Sequence, residues 1–232
     1  MIDDASRVLF VGAHCGDAEI SAGAVLARTV RLGGQAFVLH LTAGEKGHPH
    51  IPPSDYRRAK IVEAEGAAQA LGLSEMAVLE HGDAELPEAE DVVDEISDFV
   101  RLTKPNTVIT HWAHSIHPDH EITHRLTQRA VFKAGIQWIE SERDSHYAGG
   151  LLFAENWEDR EGFVPHTYVD VSPDWDRWRE AAECYALFRG EVVKFPYVSY
   201  YDHLSQVRGP ESGVGRAVVF AVPRRALRSV VR

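Results

Sequence analysis

Five histidines, His111, His114, His117, His120 and His124, stand close together in a chain that carries 13 in all. Imidazole binds divalent cations and moves protons near neutral pH, so such a concentration points to metal or acid–base chemistry. Within it, "HPDH" (117–120) sets two imidazoles three residues apart with the Asp119 carboxylate between them. Pro118 suits the first position of a helix, which puts His117 just before that helix and His120 on its first turn. One ring can then hold a metal while the other stays free for substrate. His120 and His124, four apart, form an alternative ligand pair on one helical face. A second element lies near the start, where the apolar run of "FVGAHCGDAE" (10–19) stops at His14 and Asp17 follows three residues later. Both side chains can point at one spot from a tight turn. Alternatively, His14 bonds locally and Asp17 caps a helix beginning near Ala18. A catalytic zinc takes about three His and Asp/Glu ligands and keeps a position for water. Taken together, the two His-Asp elements favour a metal site. Zinc is expected there, although two His and one Asp accept other divalent ions as well.

These groups must be positioned by something. "SRVLFVGA" (6–13) reads as a strand buried on both faces, and "EISAGAVLARTVRLGG" as a helix ending at a Gly pair. The next strand is "QAFVLHLTAG" (35–44). A loop rich in Gly and Pro leads to a helix from an N-cap at Ser54 to Gly72. A third strand is expected over 76–83, a helix closed by Pro105, a fourth strand over 106–112, and a helix from about Asp119 to Glu140. Regular alternation of this kind predicts an α/β fold around a parallel sheet. Ligands of such sheets sit beyond the carboxyl ends of the strands. His14, "TAGEKG", "HGD" and "HWAHSIHPDH" all directly follow predicted strands, so they should converge on one rim.

From about residue 141 the pattern is less regular. "LLFAENW", "TYVDVS" and "RAVVFAV" read as strands and "DWDRWREAAECYALF" as a helix, while "YVSYYDHLSQVRGPESGVG" reads as an aromatic segment entering a Gly-rich loop. No linker or repeat divides the chain, so one domain over 1–232 is expected. The Trp and Tyr residues of 175–201 are expected in the core or at a homo-oligomer contact.

A formal charge of -11 argues against a nucleic-acid or anionic-membrane binder. Cys15 and Cys184 are too few for a disulfide framework. The N-terminus is acidic where a signal peptide is basic, and no apolar run reaches membrane-spanning length. The expectation is a cytoplasmic protein with a small-molecule partner. No GxGxxG, P-loop or GxSxG occurs, which leaves nucleotide and serine-hydrolase readings without support.

Over residues 6–140 the motifs resemble those of the PIG-L (LmbE-like) zinc-dependent N-deacetylases. "AHCGDAE" is similar to that family's A-H-P-D-D-A/E, "ISAGAVLA" to its helix start, "TAGEKG" to its T-x-G-E-x-G loop, and "HPDH" to its second motif. The C-terminal A-E-A-F element is only dimly echoed in "RAVVFAV". The resemblance implies a Rossmann-like, mostly parallel sheet flanked by helices. It implies zinc ligands at His14, Asp17 and His120. It gives His117 the task of steadying an oxyanion or protonating a leaving amine, and Asp119 that of orienting His117. A substrate-touching arginine of the family falls at Lys60, with Arg57 and Arg58 nearby; lysine keeps the charge but loses the bidentate fork. The metal would polarise an amide carbonyl and lower the pKa of its water toward about 7.

Gly16 departs from the pattern. It occupies the place of the family's general base, whose contribution is worth roughly 10²–10⁴-fold in rate. Three accounts are open. The base moves elsewhere, to Glu45, His114 or His117; the reaction needs less of one, as with an activated ester; or the protein binds a sugar-like ligand and catalyses little. The expectation is a metal-dependent hydrolase, an N-deacetylase acting on the linear amide of an N-acetylated amino sugar or sugar conjugate. The alternatives are a carbohydrate- or metabolite-binding protein on the same scaffold, and a structural-zinc protein with Cys15 as fourth ligand.

Overall fold

Strand and helix alternate through the first four units of the chain: β1 (Arg7–Gly12), α1 (Asp17–Arg31), β2 (Gln35–Thr42), α2 (Pro53–Leu71), β3 (Glu75–His81), α3 (Glu90–Thr103), β4 (Thr107–Thr110) and α4 (Pro118–Ala134). After them come β5 (Gly150–Ala154), β6 (Thr167–Asp170), α5 (Trp175–Ala182), α6 (Tyr197–Glu211) and β7 (Ala217–Ala221). This computed structural model describes residues 6–159 and 161–223. Its sheet runs β3-β2-β1-β4-β5-β7-β6. The first five strands in that order are parallel, and β7 pairs antiparallel with both β5 and β6. The expected mostly parallel α/β sheet is therefore present.

The sequence of β1 explains the layering. Val8 and Phe10 join a core with α1, α2 and α5, while Leu9 and Val11 join a second core with α3 and α4. Side chains alternate across a strand, so four consecutive apolar residues can serve two cores only if helices cover both faces. Each such side chain is fully buried and stabilises the fold by about 1.5–3 kcal/mol. Behind the turn after β1, Trp178 is buried, stacks on Trp175 at 4.1 Å and donates from Nε1 to the Glu19 carbonyl at 2.9 Å. Gly23 permits this approach, since a Cβ there would lie 3.2 Å from the indole.

The order of strands reverses around β1, whose neighbours are β2 on one side and β4 on the other. Crossovers to opposite faces leave a crevice beyond the carboxyl ends of these two strands. His14 follows β1 and the histidine segment follows β4, so both motifs open onto it.

Several boundaries differ from expectation; helix α5, for one, ends at Ala182 rather than running on to Phe188, because the Cys184 and Tyr185 N–H groups turn back onto the Ala181 and Ala182 carbonyls. Helix α2 starts at Pro53 with Pro52 as its N-cap, and Ser54 makes no capping bond. Helix α4 ends at Ala134, because the turn at Gly135 and Ile136 bonds back to the last helical carbonyls. The aromatic segment 197–211 is a helix rather than a loop entry. Its buried residues Tyr201, Ser205 and Gly209 fall at i, i+4, i+8, a stripe too small-sided to stand out in the sequence.

His40 on β2 is fully buried, and neither ring nitrogen has a hydrogen-bond partner among the described residues. Burial lowers its pKa to about 4, below the ordinary imidazole value. The unfolded chain therefore binds the extra proton first, and the neutral ring's contribution to stability, complete above about pH 6.5, is lost as pH falls toward 4. His40→Leu is expected to flatten the fall in Tm between pH 7 and pH 4.5. An unchanged acid slope in thermal melts would show that His40 is not a source of acid lability.

Candidate metal centre

The turn after β1 carries His14 into the crevice, and α1 begins immediately with Asp17. Asp17 Oδ2 accepts the His14 backbone N–H at 2.7 Å, which locks the carboxylate against the turn. The same oxygen lies 3.4 Å from His14 Nδ1, 3.2 Å from His111 Nε2 and 3.6 Å from His120 Nε2. His120 stands on the first turn of α4, after Pro118, and stacks on His111 with centroids 4.0 Å apart. His117 is the N-cap of the same helix, its ring 4.5 Å from that of His14.

Donors on a tetrahedral zinc stand about 3.3 Å apart when the metal–ligand bonds are about 2.0–2.1 Å. The His14 and His120 spacings to Asp17 meet that requirement. Three groups of His and Asp atoms lie within 4.8 Å of one another: His14–His117–His120, Asp17–His111–His120 and His14–Asp83–Asp119. The first group shares one residue with each of the other two, so they describe one concentration of hard and borderline donors, although His14, Asp17 and His120 do not occur together in any one group. The far sides of the rings are also held. His14 Nε2 faces Asp83 Oδ1 at 3.2 Å and Asp119 Oδ2 at 3.3 Å, and His120 Nδ1 faces Ser115 Oγ at 3.2 Å and Glu158 Oε2 at 3.5 Å. Such partners fix ring orientation and raise ligand basicity in metal sites. A divalent cation fits this donor set.

Electrostatics divide the cluster. Burial disfavours charge on His14, yet Asp17, Asp119 and Asp83 outweigh it and hold the imidazole well above its ordinary pKa. Burial likewise opposes charge on Asp17, and His120, His111 and His14 nonetheless draw its carboxyl well below the usual range. His111 goes the other way: burial and the neighbouring His120 push it down to about 3, and its Nε2 accepts the Ala13 N–H at 3.0 Å. His117 is lowered by burial and by His14 and His120, so its ring is neutral at pH 7.

Not every residue singled out in the sequence arrives here. Glu45 is buried after β2, but Oε1 accepts the Asp83 N–H at 2.9 Å and Oε2 faces Arg57 at 3.7 Å; the carboxylate braces Asp83 rather than entering the cavity. Arg58 is exposed and paired with Asp55. The Asp119 carboxylate faces His14 and the Ala84 N–H, while its backbone N–H, at 3.3 Å, is what bonds His117 Nδ1. His124 turns away, its Nδ1 on the His111 carbonyl at 2.8 Å, so the His120–His124 pair does not form a site. Cys15 is buried with its thiol pushed up to about 12, chiefly by burial, which makes it a poor thiolate ligand. Lys60 does reach the cavity wall.

A cavity of about 230 Å³ adjoins the cluster, lined by His14, Asp17, His117 and His120 on one part and by Lys60 and aromatic side chains elsewhere. The sequence reading missed Trp157, Phe188 and Tyr197 as lining residues, along with Glu158 and Asn156. Phe188 explains Gly16: a Cβ on Gly16 would lie 2.8 Å from the Phe188 ring, and the glycine has φ +107°. The space over this turn belongs to an aromatic ring.

Comparison with known proteins agrees with this geometry. Residues 9–131 match the family model described as PIG-L, GlcNAc-PI de-N-acetylase. The chain is 29% identical over 168 residues to the 1D-myo-inositol 2-acetamido-2-deoxy-alpha-D-glucopyranoside deacetylase of Kineococcus radiotolerans, covering 57% of this chain and 46% of that protein. It is 25% identical over 187 residues to the 4-oxalmesaconate hydratase of Pseudomonas putida, covering 77% and 72%. The chain thus spans about half the length of the curated deacetylase, and more of the hydratase. A conserved protein of Thermus thermophilus superposes with a TM-score of 0.84 at 26% identity, covering 97% of both chains.

Proposed function

The chain belongs to the PIG-L family, and from that premise we propose that it is a metal-dependent hydrolase of a small N-acylated amino sugar or sugar conjugate. The observation that carries this reading is the Asp17 oxygen set among three imidazoles at the wall of a cavity that His117 also lines. His14, Asp17 and His120 would hold the ion, zinc being the natural choice for this donor set. When bound, a divalent ion supplies Lewis acidity to a carbonyl and to water.

The protein's own groups do the rest. His117 Nδ1 accepts a backbone N–H, which leaves the proton on Nε2 and makes the neutral ring a donor. That donor steadies the oxygen of the carbonyl under attack, while the proton that the general base takes from water passes to the departing nitrogen as the C–N bond breaks; the products are a carboxylate and an amine. Gly16 cannot accept the proton that water gives up. Of the carboxylates lining the cavity, Glu158 has a buried oxygen, Oε2, with no hydrogen-bond partner among the described residues. We assign the base role to Glu158 in place of Glu45, which does not line the cavity and whose Oε1 accepts the Asp83 N–H.

The test is acetate release from a panel of N-acetylated amino sugars by zinc-loaded protein. Glu158→Gln and His117→Ala should each lower kcat by roughly 10²–10⁴-fold with metal content intact. Unchanged turnover in both variants would remove the assignment.

A second reading is water addition to an activated carbon–carbon double bond. It is favoured by the absence of a carboxylate at Gly16 and by the extent of the match to the Pseudomonas hydratase. Loss of ultraviolet absorbance from small unsaturated oxoacids, with no acetate released from any amide, would select it.

A further inference from the structure

Lys60 is a cation inside the molecule: the residue is 3% exposed, yet it lines the cavity. Its Nζ donates to the Cys15 carbonyl at 2.7 Å and stands over the Tyr185 ring at 4.5 Å. No carboxylate oxygen of the described residues lies within 4 Å of it. Glu19 is a buried acid whose charge interacts with it from beyond that distance. A buried charge without a close counter-ion is costly, and mutational experience is that such charges are paired or shift their equilibrium. Lys60 therefore has unused donor capacity at a solvent-accessible wall.

The neighbouring backbone has the same polarity. Gly16 is the N-cap of α1 and makes no side-chain capping bond, so the backbone N–H groups of the first turn add positive potential, set against the acidic Asp17 and Glu19 side chains of the same turn. Lys60 Nζ lies 3.6 Å from where a Gly16 Cβ would be, which is to say beside the first turn. A side chain at 16 could have supplied the counter-charge; glycine leaves that to something else, and Phe188 keeps the chain from supplying it.

We propose that the substrate carries a carboxylate, and that this group seats against Lys60 at the first turn of α1. The proposal rests on the cavity being the substrate site and deepens that reading by naming a chemical class: a small organic acid, or an amide or sugar acid bearing one carboxylate. A planar carboxylate suits a cavity of about 230 Å³ walled by the rings of Phe188, Trp157 and Tyr197. Asp17, Asp83 and Glu158, which also line it, are acidic and repel an anion, and the protonated His14 ring is already engaged by Asp17, Asp83 and Asp119, so preference for an acid depends on Lys60.

The test measures binding, not turnover. N-acetylated amino acids from N-acetylglycine to N-acetylglutamate are titrated against their primary amides by calorimetry, on zinc-loaded and on metal-free protein. At least one acid should bind about tenfold or more tightly than its amide in both states, the scale of one hydrogen bond to a charged group. Lys60→Gln should reduce that preference to less than twofold, and Lys60→Arg should keep most of it. Equal affinities for acid and amide in the wild-type protein, including no binding of either, overturn the proposal. So does a preference that survives in folded Lys60→Gln, or one present only with zinc, which would place the carboxylate on the metal. Because only binding is read, the two readings fail separately: loss of the acid preference leaves the hydrolase reading to the acetate-release assay, and failure of that assay leaves the carboxylate site intact.

Discussion

Asp17→Ala is expected to lower affinity for a divalent cation by more than about 100-fold, and activity with it. Changes to groups that only orient a ligand already cost about 10–100-fold in metal affinity, and this carboxylate is at the centre of the donor set. The same oxygen sits within 3.6 Å of His14, His111 and His120, so its loss removes one donor and loosens three others. Proton linkage sharpens the prediction. The His14 pKa is raised, so in metal-free protein its charged form adds stability that is complete below about pH 6.5 and fades as pH rises through the raised value. Asp17 is foremost among the acids holding that proton, and its own depressed pKa adds stability that is present above about pH 4 and lost as pH falls through the folded value. Binding a cation at His14 must expel the proton, so affinity should rise with pH and proton release should accompany uptake near pH 7. Competition against a chromogenic chelator at several pH values reads both effects. Wild-type affinity in Asp17→Ala would mean that another of the three donor groups, such as His14–Asp83–Asp119, is the true site.

How much of this was legible depended on the range of the contacts. His14, Asp17, His117 and His120 each lie directly after a strand or on the first turn of a helix, so local pattern plus one rule about parallel sheets brought them together. The identity of Asp83 was half-visible in "HGD" after β3, where the carboxylate reaches His14 Nε2. Glu45 misled for a related reason. Its loop does reach the rim, since Gly44 and Gly47 line the cavity, but Arg57 from α2 and the Asp83 amide capture the side chain. No local pattern announces a partner 38 residues away.

The far wall was not legible at all. Glu158 and Phe188 come from connections between the later elements and Tyr197 from the first residue of α6, where hydrophobic periodicity carries little information. Aromatic residues in 175–201 were expected to be core or contact residues. Trp175 and Trp178 are indeed core, whereas Phe188 and Tyr197 serve the core and the cavity together. Only the tertiary structure tells these two pairs apart. Lys60 shows the same limit: local pattern puts a charge on α2, and packing against Cys15 and Tyr185 turns that charge inward.

Restoring the family's carboxylate by Gly16→Asp is expected to damage the protein rather than activate it. Two costs arise at one position. The backbone has φ +107° and ψ −23°, a conformation that an L side chain holds only at about 1–3 kcal/mol. The new Cβ would also lie 2.8 Å from Phe188 Cζ and 3.2 Å from Cε2, inside contact distance. Phe188 is buried, with Tyr185 and Tyr197 rings each 5.1 Å from its own, so it cannot swing aside without displacing them. Overpacking of this kind adds about 1–3 kcal/mol. The single variant should therefore lose about 2–6 kcal/mol in urea unfolding and lose activity. Removing the ring supplies the discriminating comparison. In a Phe188→Ala background the steric part vanishes and the backbone part stays, so Gly16→Asp should cost less there, with a coupling energy of about 1–3 kcal/mol. A zero coupling would mean that the ring yields freely and that backbone strain alone excludes the carboxylate. A stable single variant with raised turnover would mean that the chain retains room for the base, and that Gly16 reflects sequence drift rather than a rebuilt cavity. The geometry favours the rebuilt cavity: glycine, ring and buried lysine occupy one corner, and each makes sense only with the other two.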